Sequence, residues 1–151
     1  MDIKKILALT IIALALFSCM GAASAGLFDF LLGGTEKHNF NGFSLDIPEG
    51  SKVKQYYLPN VGNYTLKAYI IKSDKQNLTV YVSEGSNLKE KYLSNWVSDG
   101  ATNIGKHGNW QIIKEKTGSY CLVKYGNTRT VELHSKDLDF LKRVADSFKE
   151  T

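Results

Sequence analysis

Tyr64-Thr65-Leu66-Lys67-Ala68-Tyr69-Ile70, then Ser73-Asp74-Lys75-Gln76, then Leu78-Thr79-Val80-Tyr81-Val82: two alternating runs around a polar turn predict an antiparallel β-hairpin, because side chains two apart share one face of a strand. In the first run Tyr64, Leu66, Ala68 and Ile70 form the apolar set, and Thr65, Lys67 and Tyr69 the polar set. In the second, Leu78, Val80 and Val82 alternate with Thr79 and Tyr81. Grouping the polar sets gives a candidate binding face of Lys67, Tyr69, Thr79 and Tyr81. Tyrosine offers a flat apolar ring with a polar tip, which suits stacking against a sugar or a peptide. Cross-strand tyrosine and threonine pairs also stabilise a sheet without binding anything.

Upstream, Phe43, Leu45 and Ile47 alternate with Ser44 and Asp46 until Pro48-Glu49-Gly50 ends a strand. Downstream, Gly85-Ser86-Asn87 opens a helix, with Asn87 and Glu90 as a capping pair. Leu88, Tyr92, Leu93, Trp96 and Val97 recur at helical spacing before Asp99-Gly100 stops it. Further strands are expected at 101–104, 110–116, 119–125 and 129–133, separated by Lys106-His107-Gly108, Thr117-Gly118 and Gly126-Asn127. A last helix follows, with Ser135 as its cap and Asp137 and Asp139 at its positive end. Its apolar stripe is Leu138, Leu141, Val144, Ala145 and Phe148. The order strands, helix, strands, helix predicts an α+β domain over residues 39–150, an antiparallel sheet with two packed helices.

The N-terminus reads as an address. Lys4 and Lys5 precede an apolar stretch, residues 6–17, interrupted only by Thr10, and Ala23-Ser24-Ala25 supplies the small-x-small pattern of a cleavage site. Residues 1–25 are therefore expected to be a signal peptide cut after Ala25, which makes the domain secreted or cell-surface. Two alternatives keep it attached to a membrane. The uncharged residues 6–25 are long enough to span a bilayer, and Leu16-Phe17-Ser18-Cys19 has the layout of a lipidation site at Cys19. Either would still put the domain outside. Residues 26–38, opening Gly26-Leu27-Phe28-Asp29-Phe30-Leu31-Leu32-Gly33-Gly34, read as an apolar and glycine-bearing tether.

Two runs carry a resemblance. Phe40-Asn41-Gly42-Phe43-Ser44-Leu45-Asp46-Ile47-Pro48-Glu49-Gly50 resembles the opening strand and turn of PsbP-like domains, and Leu138-Asp139-Phe140-Leu141-Lys142-Arg143-Val144-Ala145-Asp146-Ser147-Phe148-Lys149 resembles their terminal helix. The signal, the Gly-Leu-Phe-Asp-Phe start and the Ile-Pro-Glu-Gly turn are also similar to those of small secreted proteins of methanogenic archaea. The resemblance implies a PsbP-like architecture and an extracytoplasmic address. It assigns no functional residue.

The remaining composition narrows the function classes. Nineteen basic against fifteen acidic residues give a net charge of +4, without a run of like charges, so a nucleic-acid arm is not expected. Cleavage leaves Cys121 as a single cysteine, unable to form an internal disulfide and read as a small buried hydrophobe. His38, His107 and His134 are far apart, and no HxxxH or CxxC spacing defines a metal site. His134, sharing a strand face with Thr130 and Glu132, reads as solvated. Asp137-x-Asp139 lacks the oxygen-rich loop of a calcium site. No GxGxxG, GxxxxGK or GxSxG motif occurs. Cofactor, metal and catalytic residues are thus not expected. Asn63-Tyr64-Thr65 and Asn77-Leu78-Thr79 are candidate N-glycosylation sites at Asn63 and Asn77. The leading expectation is an exported, non-catalytic domain that binds a cell-surface component or another protein. The alternatives are a membrane-anchored assembly protein, and a wall or peptide hydrolase whose site assembles only in space.

Overall fold

The hairpin forms, and strands extend it on both sides. The computed structural model describes residues 33–61, 64–85 and 100–151. β1 (Thr35–Phe40) and β2 (Phe43–Pro48) are followed by β3 (Lys52–Val61), β4 (Tyr64–Lys72) and β5 (Asn77–Glu84). β6 (Thr102–His107), β7 (Trp110–Lys114), β8 (Tyr120–Tyr125) and β9 (Arg129–Ser135) come next, then α1 (Leu138–Asp146) and β10 (Lys149–Glu150). The β4–β5 turn is closed by its own ends: Ser73 N donates to the Gln76 carbonyl at 3.0 Å, and Gln76 N donates to Ser73 Oγ at 2.9 Å. β3-β4-β5 and β6-β7-β8-β9 are two antiparallel meanders, joined where β5 pairs with β9. The resulting seven-stranded sheet has the order β3-β4-β5-β9-β8-β7-β6, and a three-stranded sheet has the order β1-β2-β10.

The expected α+β class with two packed helices is corrected by this architecture. Strands hold 63% of the described residues and helix 9%, which makes the domain mostly β and sandwich-like, with one helix among the described residues. The helix expected around residues 88–97 lies outside the described residues, as do Ala25, Cys19 and Asn63. Three strands, β1, β3 and β10, have no counterpart in the sequence reading. β3 is an exposed edge strand without clean alternation, and its Pro59 argues against a strand interior. A proline is tolerated there because an edge has a free side, and the register shifts between Leu58 and Val61. β1 begins at Thr35, and the compact unit spans Glu36–Thr151. The last helix also ends earlier than its apolar stripe suggests. Ser147 caps it, and residues 149–150 turn back as β10 beside β2.

The main core lies on one face of the large sheet. Phe43, Leu45 and Ile47 of β2 meet Leu78 and Val80 of β5, Leu122 of β8 and Leu133 of β9, with Phe140, Leu141 and Val144 of α1 in the same cluster. Helix α1 starts because Asp137 accepts a hydrogen bond from Phe140 N at 2.9 Å. Ser135, expected as the cap, instead accepts from Asp137 N at 3.4 Å. At the other end Asp46 N donates to Ser147 Oγ at 2.8 Å, which fastens the helix C-terminus to β2. The opposite face of the large sheet carries a separate buried group, Ile113, Cys121 and Val123. Consecutive residues of β7 and β8 therefore serve different cores. Among the described residues, no helix is long and apolar enough to cross a membrane.

Candidate functional site

Strand register decides what becomes of the tyrosine–lysine–threonine face. Lys72 pairs with Asn77, so odd residues of β4 stand opposite even residues of β5: Lys67 opposite Val82, Tyr69 opposite Val80, and Ala68 opposite Tyr81. Directly opposed residues point to the same side. Lys67 and Tyr69 therefore lie on the main-core face, and Thr79 and Tyr81 on the other. The expected four-residue face does not exist as a unit; each half joins a different neighbourhood.

Lys67 and Tyr69 belong to an open cleft of about 450 Å³, together with Tyr57, Gln55, His38 and Asn39. β3 supplies two of these in register, Tyr57 opposite Lys67 and Gln55 opposite Tyr69. Tyr69 is buried and forms the floor, with Phe40 edge-on to it at 4.9 Å. Burial, with Tyr57 and Glu84 nearby, pushes the Tyr69 phenol upward from its ordinary value, so it stays a neutral hydrogen-bonding group. Tyr57, in contrast, is 78% exposed, an aromatic ring standing free in solvent at the cleft wall. Lys67 Nζ lies 3.6 Å from Glu84 Oε2, and Arg129 Nη2 lies 3.2 Å from Glu84 Oε1. One carboxylate thus serves both cations, and the group keeps a net positive charge beside the cleft.

Thr79 and Tyr81 lead to a different group of residues. Cys121 of β8 and His134 of β9 are Cα partners, Glu132 lies two residues before His134 on the same face, and Glu115 follows β7. The His134 Nδ1 is 2.7 Å from Glu115 Oε1, its Nε2 is 3.0 Å from Glu132 Oε2, and Cys121 Sγ is 3.3 Å from the same Nε2. The Tyr81 ring stands edge-on to the imidazole at 5.1 Å. His134, expected to be solvated, retains 17% side-chain exposure, while Glu132 and Thr130 are buried. That expectation fails because this face of the sheet is also covered. Burial works against charging the imidazole, but hydrogen bonds with Cys121, Glu115 and Glu132 outweigh it and carry His134 up to about 12. The same bond, to His134, holds Glu115 below the ordinary carboxylate range. Burial pushes the Cys121 thiol up to about 11. A cleft of about 480 Å³ reaches this cluster, lined among others by Thr79, Glu115 and His134.

Cys121, His134 and Glu115 stand in the order of a thiol–imidazole–carboxylate relay. Two features oppose that chemistry. Cys121 has no exposed surface, so a substrate carbonyl cannot meet its sulfur, and its raised pKa keeps it a thiol at neutral pH. Glu132 also occupies the Nε2 that would have to receive the thiol proton.

The other sequence candidates are placed simply. Asn77 is exposed at the start of β5. His107 Nε2 pairs with Asp146 Oδ1 at 2.7 Å. Asp137 is the helix cap and accepts from Gln76 Nε2 at 3.1 Å, and Asp139 is exposed beside Lys142. Sequence reasoning missed the Cys121–His134 pair and the contribution of Tyr57. The first had a signal: strands ending near Tyr125 and restarting near Arg129 around Gly126-Asn127 bring Cys121 opposite His134 once Tyr125 is paired with Thr130. Tyr57 had none, because the strand carrying it does not alternate. Comparison with family models, curated proteins and solved structures finds no match, so the likeness to PsbP-like domains remains one of two short runs.

Proposed function

We propose that this chain is an exported ligand-binding domain that holds a cell-surface glycan in the cleft between β1, β3 and β4. The observation that carries this reading is the Tyr57 ring, 78% exposed above a floor of buried Tyr69 and next to the Gln55 amide. A large exposed aromatic has no folding role that explains it, since the apolar ring gains nothing in water. Sugar rings present a flat face of C–H groups and a rim of hydroxyls. An aromatic wall with amide, imidazole and phenol groups around it complements both. Export is supported by Lys4, Lys5, the apolar residues 6–17 and Ala23-Ser24-Ala25.

Two measurements test this. The native protein should begin at Gly26 and be found outside the cytoplasm; a cytoplasmic chain that keeps residues 1–25 would overturn export. The mature protein should be retarded by cell-surface polysaccharide in affinity electrophoresis, with Tyr57→Ala weakening binding about 3- to 10-fold, the range of one aromatic contact. Because Tyr57 is exposed, the variant should keep the wild-type unfolding midpoint. Retardation identical in the two proteins would show that the glycan does not use this cleft.

A further inference from the structure

We propose that Cys121, Glu132 and His134 form a binding site for a zinc-class divalent ion, with Glu115 as the outer carboxylate that orients the histidine. The three candidate ligand atoms, Sγ, Oε2 and Nε2, all lie within 4.8 Å of one another. Sγ and Nε2 are 3.3 Å apart, and Nε2 and Oε2 3.0 Å apart. With metal–sulfur and metal–nitrogen or –oxygen bonds of about 2.3 and 2.0–2.1 Å, a tetrahedral site has ligand–ligand edges of roughly 3.3–3.6 Å. Two of the three edges are thus within a few tenths of an ångström of a tetrahedral site, and the third, Sγ to Oε2, is no longer than 4.8 Å.

The residue types select the metal. A thiolate and an imidazole favour zinc over calcium or magnesium, which prefer all-oxygen sets. Glu115 completes a carboxylate–histidine arrangement: Nδ1–H donates to Oε1 at 2.7 Å, which leaves the Nε2 lone pair for the metal. Coordination displaces the thiol proton and the Nε2 proton into solvent. Without an ion, two carboxylates and a thiol surround one imidazole at a largely buried position, where an apolar pair would pack at least as well. Three protein ligands leave a fourth position for water, and the 480 Å³ cleft brings solvent as far as Glu115 and His134 at the edge of the group. The site is independent of the glycan cleft, since the two open on opposite faces of the large sheet.

The mature protein, stripped with a chelator, should bind one equivalent of zinc by calorimetry. Loaded with cobalt(II) instead, it should show a near-ultraviolet thiolate charge-transfer band together with the strong visible absorption of a four-coordinate ion. Cys121→Ser should abolish the charge-transfer band and weaken zinc binding at least 10-fold, and Glu115→Gln should weaken it about 10- to 100-fold, the usual effect of losing an outer partner. His38→Ala and His107→Ala should leave affinity unchanged. A cobalt spectrum without the thiolate band overturns the proposal and makes the cluster an ion-pair network only; this readout uses the unmutated chain and does not depend on any variant folding. Zinc affinity unchanged in Cys121→Ser, or lowered in His38→Ala or His107→Ala, overturns it equally.

Discussion

The Arg129 guanidinium of β9 joins β5 to the β1–β2 turn: it bonds Glu84 of β5 through Nε and Nη2, and its Nη1 donates to the Gly42 carbonyl at 3.1 Å. Gly42 sits at φ +87 in the turn between β1 and β2, and a Cβ there would collide with that guanidinium. Only glycine satisfies both demands. Gly42→Ala should therefore lower stability by about 1–3 kcal/mol, through left-handed strain and displacement of Arg129. Urea unfolding measures it, and an unchanged midpoint would mean the turn does not fasten the small sheet. Individual residues were unevenly legible. Tyr69 and Tyr81 look alike in the sequence, each flanked by apolar neighbours, yet they serve opposite faces. Ala68 and Tyr69 are both buried, so alternation in β4 carries no signal of which side is wet. Cys121 is legible as buried, but its partnership with His134 depends on a register that composition does not contain.

Among the elements, α1 shows how a short helix is specified locally and held by its neighbours. Asp137 caps it, Asp139 lies in its first turn and Arg143 in its last, all favourable to the helix dipole. Nine residues would be marginal alone, so burial of Phe140, Leu141 and Val144 supplies the rest. Asp137→Ala should cost about 1 kcal/mol, a little more if the Gln76 bond at 3.1 Å is also lost. Thermal unfolding checks this, and Asp137→Asn, which still caps, should recover most of the loss. The helix, β2, the β4–β5 hairpin and the β8–β9 hairpin were all readable, because capping residues, turn residues and alternation agree there. β3 was not, since an exposed edge strand buries too little to impose a period. β10 was not either: a two-residue strand exists only because β2 offers it a ladder.

At the scale of the whole molecule, local signals summed to the wrong class. Strands, a helix, strands and a helix read in order suggest layers of mixed type, and nothing local says that β9 will offer its free edge to β5. That seam, with Val82 opposite Val131 and Val80 opposite Leu133, is what makes one sheet of seven strands. The same construction leaves the sheet with two outer borders, β3 and β6, and both are irregular. β3 shifts register between Leu58 and Val61, and β6 between Asn103 and Gly105, where Gly105 N donates to Asn103 Oδ1 at 3.1 Å and Gly105 adopts φ +139. Each border is interrupted where its register shifts, which shortens the row of amides on which a second copy could add a strand. Gly105→Val, which favours a straight strand, should increase fibril growth at equal protein concentration, followed by thioflavin fluorescence. Growth no faster than that of the wild type would mean the kink is not what guards this border. The sheet thus carries in two small distortions its means of remaining dispersed.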